Sequence, residues 1–178
     1  MMIAQLIDTR IQVEGDYVNN GADRGGPTRY GITQATARAD GYMGDMRALP
    51  MDRARSIYRR LYWTTPRLDL VATIAPHIAG EMFDTGINCG TKAAIKLLQR
   101  ALNYFQGAGI GIDGVIIDQG ETIVALRAYM AARGKQDGEL VMVEALNALQ
   151  GVRYIEIVEN DATQRAFGFG WKIGRAHV

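Results

Sequence analysis

The chain has one cysteine, Cys89, among its 178 residues, so no internal disulfide can form. Folding must rest on packing alone, which a reducing cytosol permits. Charge of one sign is also missing: Lys and Arg number 20 against 19 Asp and Glu, for a formal net charge of +1. That excludes a molecule whose whole surface attracts nucleic acid, and no nucleic-acid partner is expected. No window approaches the roughly 20 apolar residues of a membrane span. The densest apolar run, Leu140 to Leu149, contains Glu144 and Asn147. The opening residues Met1 to Arg10 lack a basic segment, and Asp8 cuts the apolar run short, so no secretory signal is expected. These absences predict a chain made soluble in the cytoplasm, which needs another agent to release it if its target lies outside. His77 and His177 form no metal-ligand spacing and no phosphate loop is present. No metal or organic cofactor is therefore expected.

What is present suits an ordinary globular protein: 48% hydrophobic and 22% charged residues, in a chain long enough to bury a core. Ile3, Ile7 and Ile11 recur every fourth residue, which predicts a helix with Glu14 continuing the same face and Gly15 ending it. Residues 16 to 32 are rich in Asn, Asp and Gly and read as a polar loop with room for a short hairpin. Thr33 reads as the N-cap of a helix over 34–39, ended by Gly41. Further helices are expected from Pro50 to about Trp63, from Pro76 to Gly86 or Gly90, and from Thr91, read as a cap, up to the Gly-rich stretch 107–120. Others follow near 122–132 and 139–158, with a last amphipathic piece over about 163–173. Strand alternation is almost absent, so the fold class is mainly α. The best seam between two lobes lies near 89–91, giving lobes of residues 1–90 and 91–178.

One pair of acids suggests chemistry. Glu14 ends an apolar helix, and eight residues separate it from Asp23 in a Gly- and Asn-rich loop. Glycoside hydrolysis needs one carboxylic acid to protonate the leaving oxygen and a second group for water or positive charge. A Glu backed by Ile7 and Ile11 is partly desolvated, which favours its neutral form and lifts its pKa towards ~6. An Asp in a wet loop stays ionised. A hydroxyl from Thr28 or Thr33 is placed to hold the attacking water. On these residues alone, Glu14 reads first as a solvated acid at a helix end, and Asp23 as a turn residue.

Residues 14 to 33 read EGDYVNNGADRGGPTRYGIT. This stretch closely resembles the opening of the glycoside hydrolase family 108 muramidases, phage and prophage endolysins with an EGGY-type box, then NN, then D-x-GG-x-T-x-YGIT. ALP at 48–50, YRRLYW at 58–63, PR at 66–67 and FDTGIN at 83–88 match in order. The resemblance implies a lysozyme-like helical fold and cleavage between N-acetylmuramic acid and N-acetylglucosamine. It carries the catalytic role to Glu14, with Asp23 and Thr28 as partners and with Asn20, Gly26, Tyr30 and Thr33 beside the sugar. The family's second box Gly is Asp16 here, which either adds charge near Glu14 or strains the loop if positive φ is required. LLQRALN at 97–103, DG at 113–114 and TIVAL at 122–126 look like a helical peptidoglycan-binding domain, although two extra residues lie in its DGxxGxxT turn. The resemblance thus implies a packed helical C-terminal lobe, with peptidoglycan glycan strands as partner and a monomer as the working state.

Weaker features have two readings each. Arg53, Arg55, Arg59, Arg60 and Arg67 form either a solvated helix face or a patch for an anionic envelope polymer. The segment 164–178, with Arg165, Lys172 and Arg175 beside aromatics, either packs as a helix or touches anionic outer-membrane lipid. Tyr30, Tyr62 and Trp63 suit sugar stacking or core burial. Cys89 reads as a small buried hydrophobe. Two other functions compete with hydrolysis: a non-catalytic wall-binding or secretion-linked protein, and a lytic transglycosylase using Glu14 without water. Within the hydrolase reading, an inverting displacement is favoured because a polar loop leaves room for water between the carboxyls.

Overall fold

Helix-forming periodicity dominates the computed structural model, which describes residues 3–19 and 26–162. The expected helix over 163–173 lies outside them. The chain divides into two compact units, Met1–Leu61 and Tyr62–Val178.

In the first unit, α1 (Ile3–Glu14) buries Ile7 and Ile11. This face packs on α3 (Met51–Arg59), which buries Ala54, Ile57 and Tyr58. Arg55 of α3 pairs with Asp8 of α1 at 2.7 Å across the same contact. Between these helices the chain makes a hairpin from β1 (Thr28–Arg29) and β2 (Ile32–Thr33), paired antiparallel with Thr28 opposite Thr33. Its two-residue loop, Tyr30 at φ 55° and Gly31 at φ 74°, has both residues left-handed, as a type I′ turn requires. Val18 adds a bridge on the outer side of Thr28. Helix α2 (Gln34–Ala39) follows at once, capped by Thr33 as expected, and Gly41 turns the chain at φ 83°. Pro50 caps α3, and the helix continues as a π-helical turn, Arg60–Thr64, where the expected helix ran to Trp63.

The second unit is helical among its described residues. α4 (Leu68–Ile74), which the sequence reading missed, precedes α5 (Pro76–Cys89), α6 (Thr91–Gln106), α7 (Glu121–Arg133) and α8 (Lys135–Asn160). α6 begins at Thr91, but Gly90 is its N-cap and no side chain caps it, so Thr91 is the first helical residue rather than the cap. α5 packs on α4, α6 and α8. Its buried Ile78, Ala79, Met82 and Phe83 therefore contribute to the same core as Leu98 and Leu102 of α6. That shared core is why packing divides the chain after Leu61, before the sequence seam near 89–91. Cys89 at the end of α5 is half-buried, more open than expected. Among the described residues no helix is long and apolar enough to cross a membrane.

The loop 107–120 is organised by one buried amide. Gln99 of α6 donates from Nε2 to Asp113 Oδ1 at 2.7 Å, Thr122 Oγ1 at 3.1 Å and the Val115 carbonyl at 3.3 Å. Its Oε1 accepts from the Gly114 backbone N–H at 2.9 Å. Gly114 sits at φ 76°, and a Cβ there would stand 2.8 Å from the Lys92 carbonyl, so the DG pair fixes how the loop lies on α6. These hydrogen bonds, with that from the Val115 N–H, hold the Asp113 carboxyl below its ordinary 3.8.

Candidate active site

Glu14 closes α1 with its side chain 29% exposed, one turn beyond the buried Ile11. Two features position it. Arg10, one turn earlier, pairs its Nη2 with Glu14 Oε1 at 2.6 Å. The hairpin turn then presses on the stem of the side chain. A Cβ built on Gly31 would stand 2.7 Å from Glu14 Cγ and would also collide with the Tyr58 hydroxyl. Only a glycine both takes this φ and allows that approach. Tyr58, buried on α3, donates to the Tyr30 carbonyl at 3.1 Å and so ties the turn to the core behind Glu14.

The sequence reading gave Glu14 apolar backing, and buried Ile7 and Ile11 supply it. It missed Arg10, Gly31 and Tyr58. The i,i+4 spacing of Arg10 and Glu14 was available as a signal. The Tyr58 hydrogen bond spans 28 residues and leaves no local pattern.

The remaining expected residues surround the turn. Thr28 pairs its backbone with Val18 through two 2.8 Å hydrogen bonds, and its hydroxyl reaches the Gly26 carbonyl at 3.4 Å. Gly26 has φ 72°. Thr33 is engaged structurally: its Oγ1 accepts from Thr36 N–H at 3.2 Å and lies 2.9 Å from Thr36 Oγ1. The Tyr30 ring is half-buried beneath the Arg29 guanidinium, 4.8 Å from its centroid. Asn20 and Asp23 lie outside the described residues.

Asp16 is 76% exposed and pairs with Arg29 Nε at 3.0 Å. Its φ is not positive, so the departure from the family's Gly introduces no left-handed strain there, whereas Gly15 beside it is left-handed at φ 77°. The arginines expected to form a basic patch are largely matched by acids. Arg53 and Arg60 both pair with Asp40, Arg55 with Asp8 and Asp52, and Arg67 with Asp69. The solvated-face reading therefore stands over the polymer-attracting one. Trp63 meets Phe83 edge-on at 6.2 Å. Among the described residues no group of three or more His, Cys, Asp or Glu is placed to hold a metal ion.

Glu14 is thus a partly exposed carboxyl at a helix end, paired with Arg10 and braced by a glycine turn. Comparison with known proteins gives the family. Residues 7–90 match the family described as Glycosyl hydrolase 108, and residues 93–176 match the one described as Predicted Peptidoglycan domain. The chain carries a glycosyl hydrolase family 108 domain followed in sequence by a peptidoglycan-binding domain, and its fold is mainly α and lysozyme-like. It is a glycoside hydrolase acting on peptidoglycan, which is also its binding partner. The solved structure of SagA from Brucella abortus is similar, with a TM-score of 0.69 and 27% sequence identity over 96% of this chain and 87% of that one. No curated protein sequence matches this chain.

Proposed function

We propose that this chain is a lysozyme-type N-acetylmuramidase that hydrolyses the β-1,4 bond between N-acetylmuramic acid and N-acetylglucosamine, with Glu14 as general acid. The observation that carries this reading is the Glu14 carboxyl, part-exposed at the end of α1, with the Gly31 turn against its stem. Glu14 protonates the glycosidic oxygen as the bond to the muramic acid carbon breaks. The Arg10 guanidinium then faces the carboxylate left behind and stabilises it. Asp23 serves as the ionised partner that takes a proton from water as it attacks the sugar carbon, and the Thr28 hydroxyl orients that water. Asn20, Gly26, Tyr30 and Thr33 form the sugar-facing surface. Residues 1–90 act as the hydrolase and 91–178 as the wall-binding part. The product carries a new reducing end, and the displacement inverts the anomeric centre.

In the cell this activity suits an endolysin of phage origin: a monomer held in the host cytoplasm and released to the wall by another agent. The basic segment with Arg165, Lys172 and Arg175 is proposed to touch anionic outer-membrane lipid after release.

The test is Glu14→Gln. Loss of the proton donor should lower muropeptide release by about 10²–10⁴-fold, while sedimentation with sacculi persists. Mass spectrometry of wild-type products should find reducing ends. Anhydro ends would replace hydrolysis by transglycosylation. Unchanged release by the variant would remove Glu14 from the chemistry.

A further inference from the structure

The second unit contains a cleft of about 340 Å³, lined by Phe105, Tyr129, Arg133, Asp137 and Val141. That volume lies within the range of small-ligand sites, roughly 300–1,000 Å³. Its composition is unusual for a packing defect. The Phe105 and Tyr129 rings lie 5.6 Å apart and supply an apolar floor with Val141. Arg133 and Asp137 are both exposed, one ending α7 and the other in the first turn of α8, with Gly134 at φ 77° turning the chain between them.

The corner that presents these two charges is firmly built. Gly138 lies so near α7 that a Cβ on it would stand 3.3 Å from Arg133 Cβ and 3.4 Å from Met130 Sδ. The buried Tyr129 donates its hydroxyl to the Gly138 carbonyl at 3.1 Å. The backbone that carries this cation and anion is thus fixed beside the aromatic side chains of the cleft. Next to the lining, Tyr104 meets Phe105 edge-on, with centroids 5.1 Å apart, and is itself 82% exposed.

We propose that this cleft grips the peptide of a peptide-bearing glycan strand, with Arg133 on a free carboxylate, Asp137 on a free ammonium and Tyr104 against the apolar face of an adjoining sugar. The chemistry is complementary at each point. A guanidinium fork suits a carboxylate. A carboxylate suits an ammonium. An aromatic face with one open side suits the C–H face of a pyranose. A wall peptide that ends in a carboxylate and contains a diamino acid offers both charges within a few bonds. A glycan freed of its peptides keeps only the lactyl carboxylate and offers no ammonium. The proposal rests on the family reading that this chain acts on peptidoglycan, and it assigns the place and the part of the polymer that are held.

The test uses the full chain carrying Glu14→Gln, so that sacculi stay intact during the assay. Binding is measured by co-sedimentation with two probes: intact sacculi, and beads carrying the peptide-free glycan strands that an amidase releases from sacculi. Arg133→Ala with Asp137→Ala should weaken binding to intact sacculi about tenfold and change binding to the peptide-free strands, which keep only lactyl carboxylates, far less. Added salt should erase the difference between the double variant and its parent on intact sacculi, because both charges are exposed. Tyr104→Ala should weaken binding to both probes. An unchanged melting temperature in each variant shows that the fold is kept. Equal binding of parent and double variant to intact sacculi would overturn the proposal. So would an equal loss on both probes. A separate measurement, muropeptide release by the chain with Glu14 intact, reads the hydrolase assignment. Failure there leaves the sedimentation result standing, and the reverse is also true.

Discussion

Gly31→Ala offers the sharpest test of how the Glu14 carboxyl, proposed as the general acid, is held, with Gly15→Ala as its partner. Both glycines are left-handed, at φ 74° and 77°. Placing a Cβ in that region costs about 1–2 kcal/mol in each case. The two differ in what the new methyl meets. At Gly15 nothing lies within 4 Å, whereas at Gly31 the methyl would stand 2.7 Å from Glu14 Cγ and would overlap the Tyr58 hydroxyl. Overpacking of this kind adds about 1–3 kcal/mol. Gly31→Ala should therefore be less stable than Gly15→Ala by about 1–3 kcal/mol, roughly 5- to 150-fold in the folding equilibrium. Relieving the clash at Glu14 to ordinary contact requires its stem to retreat by about 0.7 Å. A displacement near 1 Å can cost about 10²-fold in rate, so Gly31→Ala should lose about one to two orders of magnitude in muropeptide release from its folded fraction. Gly15→Ala should stay within about twofold of wild type, since its methyl points into open space. Urea midpoints and initial rates of muropeptide release, measured side by side, decide the matter. Equal stability and equal rates in the two variants would refute the claim that the hairpin turn sets the position of Glu14.

Other outcomes follow from single contacts. Asp16→Gly removes only an exposed pair with Arg29, worth about 0–1 kcal/mol, so lytic activity should stay within about twofold in a turbidity assay. The buried Glu139 accepts from the His77 backbone N–H at 2.7 Å and meets its Nδ1 at 2.8 Å, which satisfies the start of α5. Glu139→Ala leaves that N–H without its partner and should cost about 1–3 kcal/mol, read from the urea midpoint. The Asp113 carboxyl is held below 3.8 by Gln99 first and by the Val115 N–H second. A depressed folded pKa contributes stability that is fully present above the unfolded value and is lost as pH falls through the folded one. Asp113→Asn should therefore flatten the acid limb of the stability curve below about pH 3.8 and lower the plateau above it. A limb of unchanged slope would contradict this.

The sequence showed the helices that obey one long periodicity and missed the element that does not. α1, α5, α6 and α8 each repeat apolar residues over three turns or more. α4 has only seven residues, LDLVATI, wedged between Pro66 and Pro76, too few for a 3.6-residue pattern to emerge. It holds its place because Leu68 and Val71 are buried, a tertiary effect. Glu14 was readable because its helix and the Gly-rich segment after it are contiguous. Its supports were not. Tyr-Gly is an unusual pair for a type I′ turn, where Asn-Gly or Asp-Gly is the common signal. The left-handed Tyr30 is tolerated because its carbonyl is anchored by Tyr58, far along the chain. The arginines of α3 could be read as a solvated face, but not their partners: Asp8 and Asp40, which neutralise Arg55 and Arg53, lie elsewhere in the sequence.

The brace behind the acid also sets an order in time. Glu14 is synthesised before the turn that presses on it, and the tyrosine that locks the turn comes later still. Until Tyr58 has been synthesised and α3 has folded onto α1, the carboxyl is an ordinary flexible side chain. The placement of this carboxyl is therefore a property of the folded lobe and not of the segment that carries it.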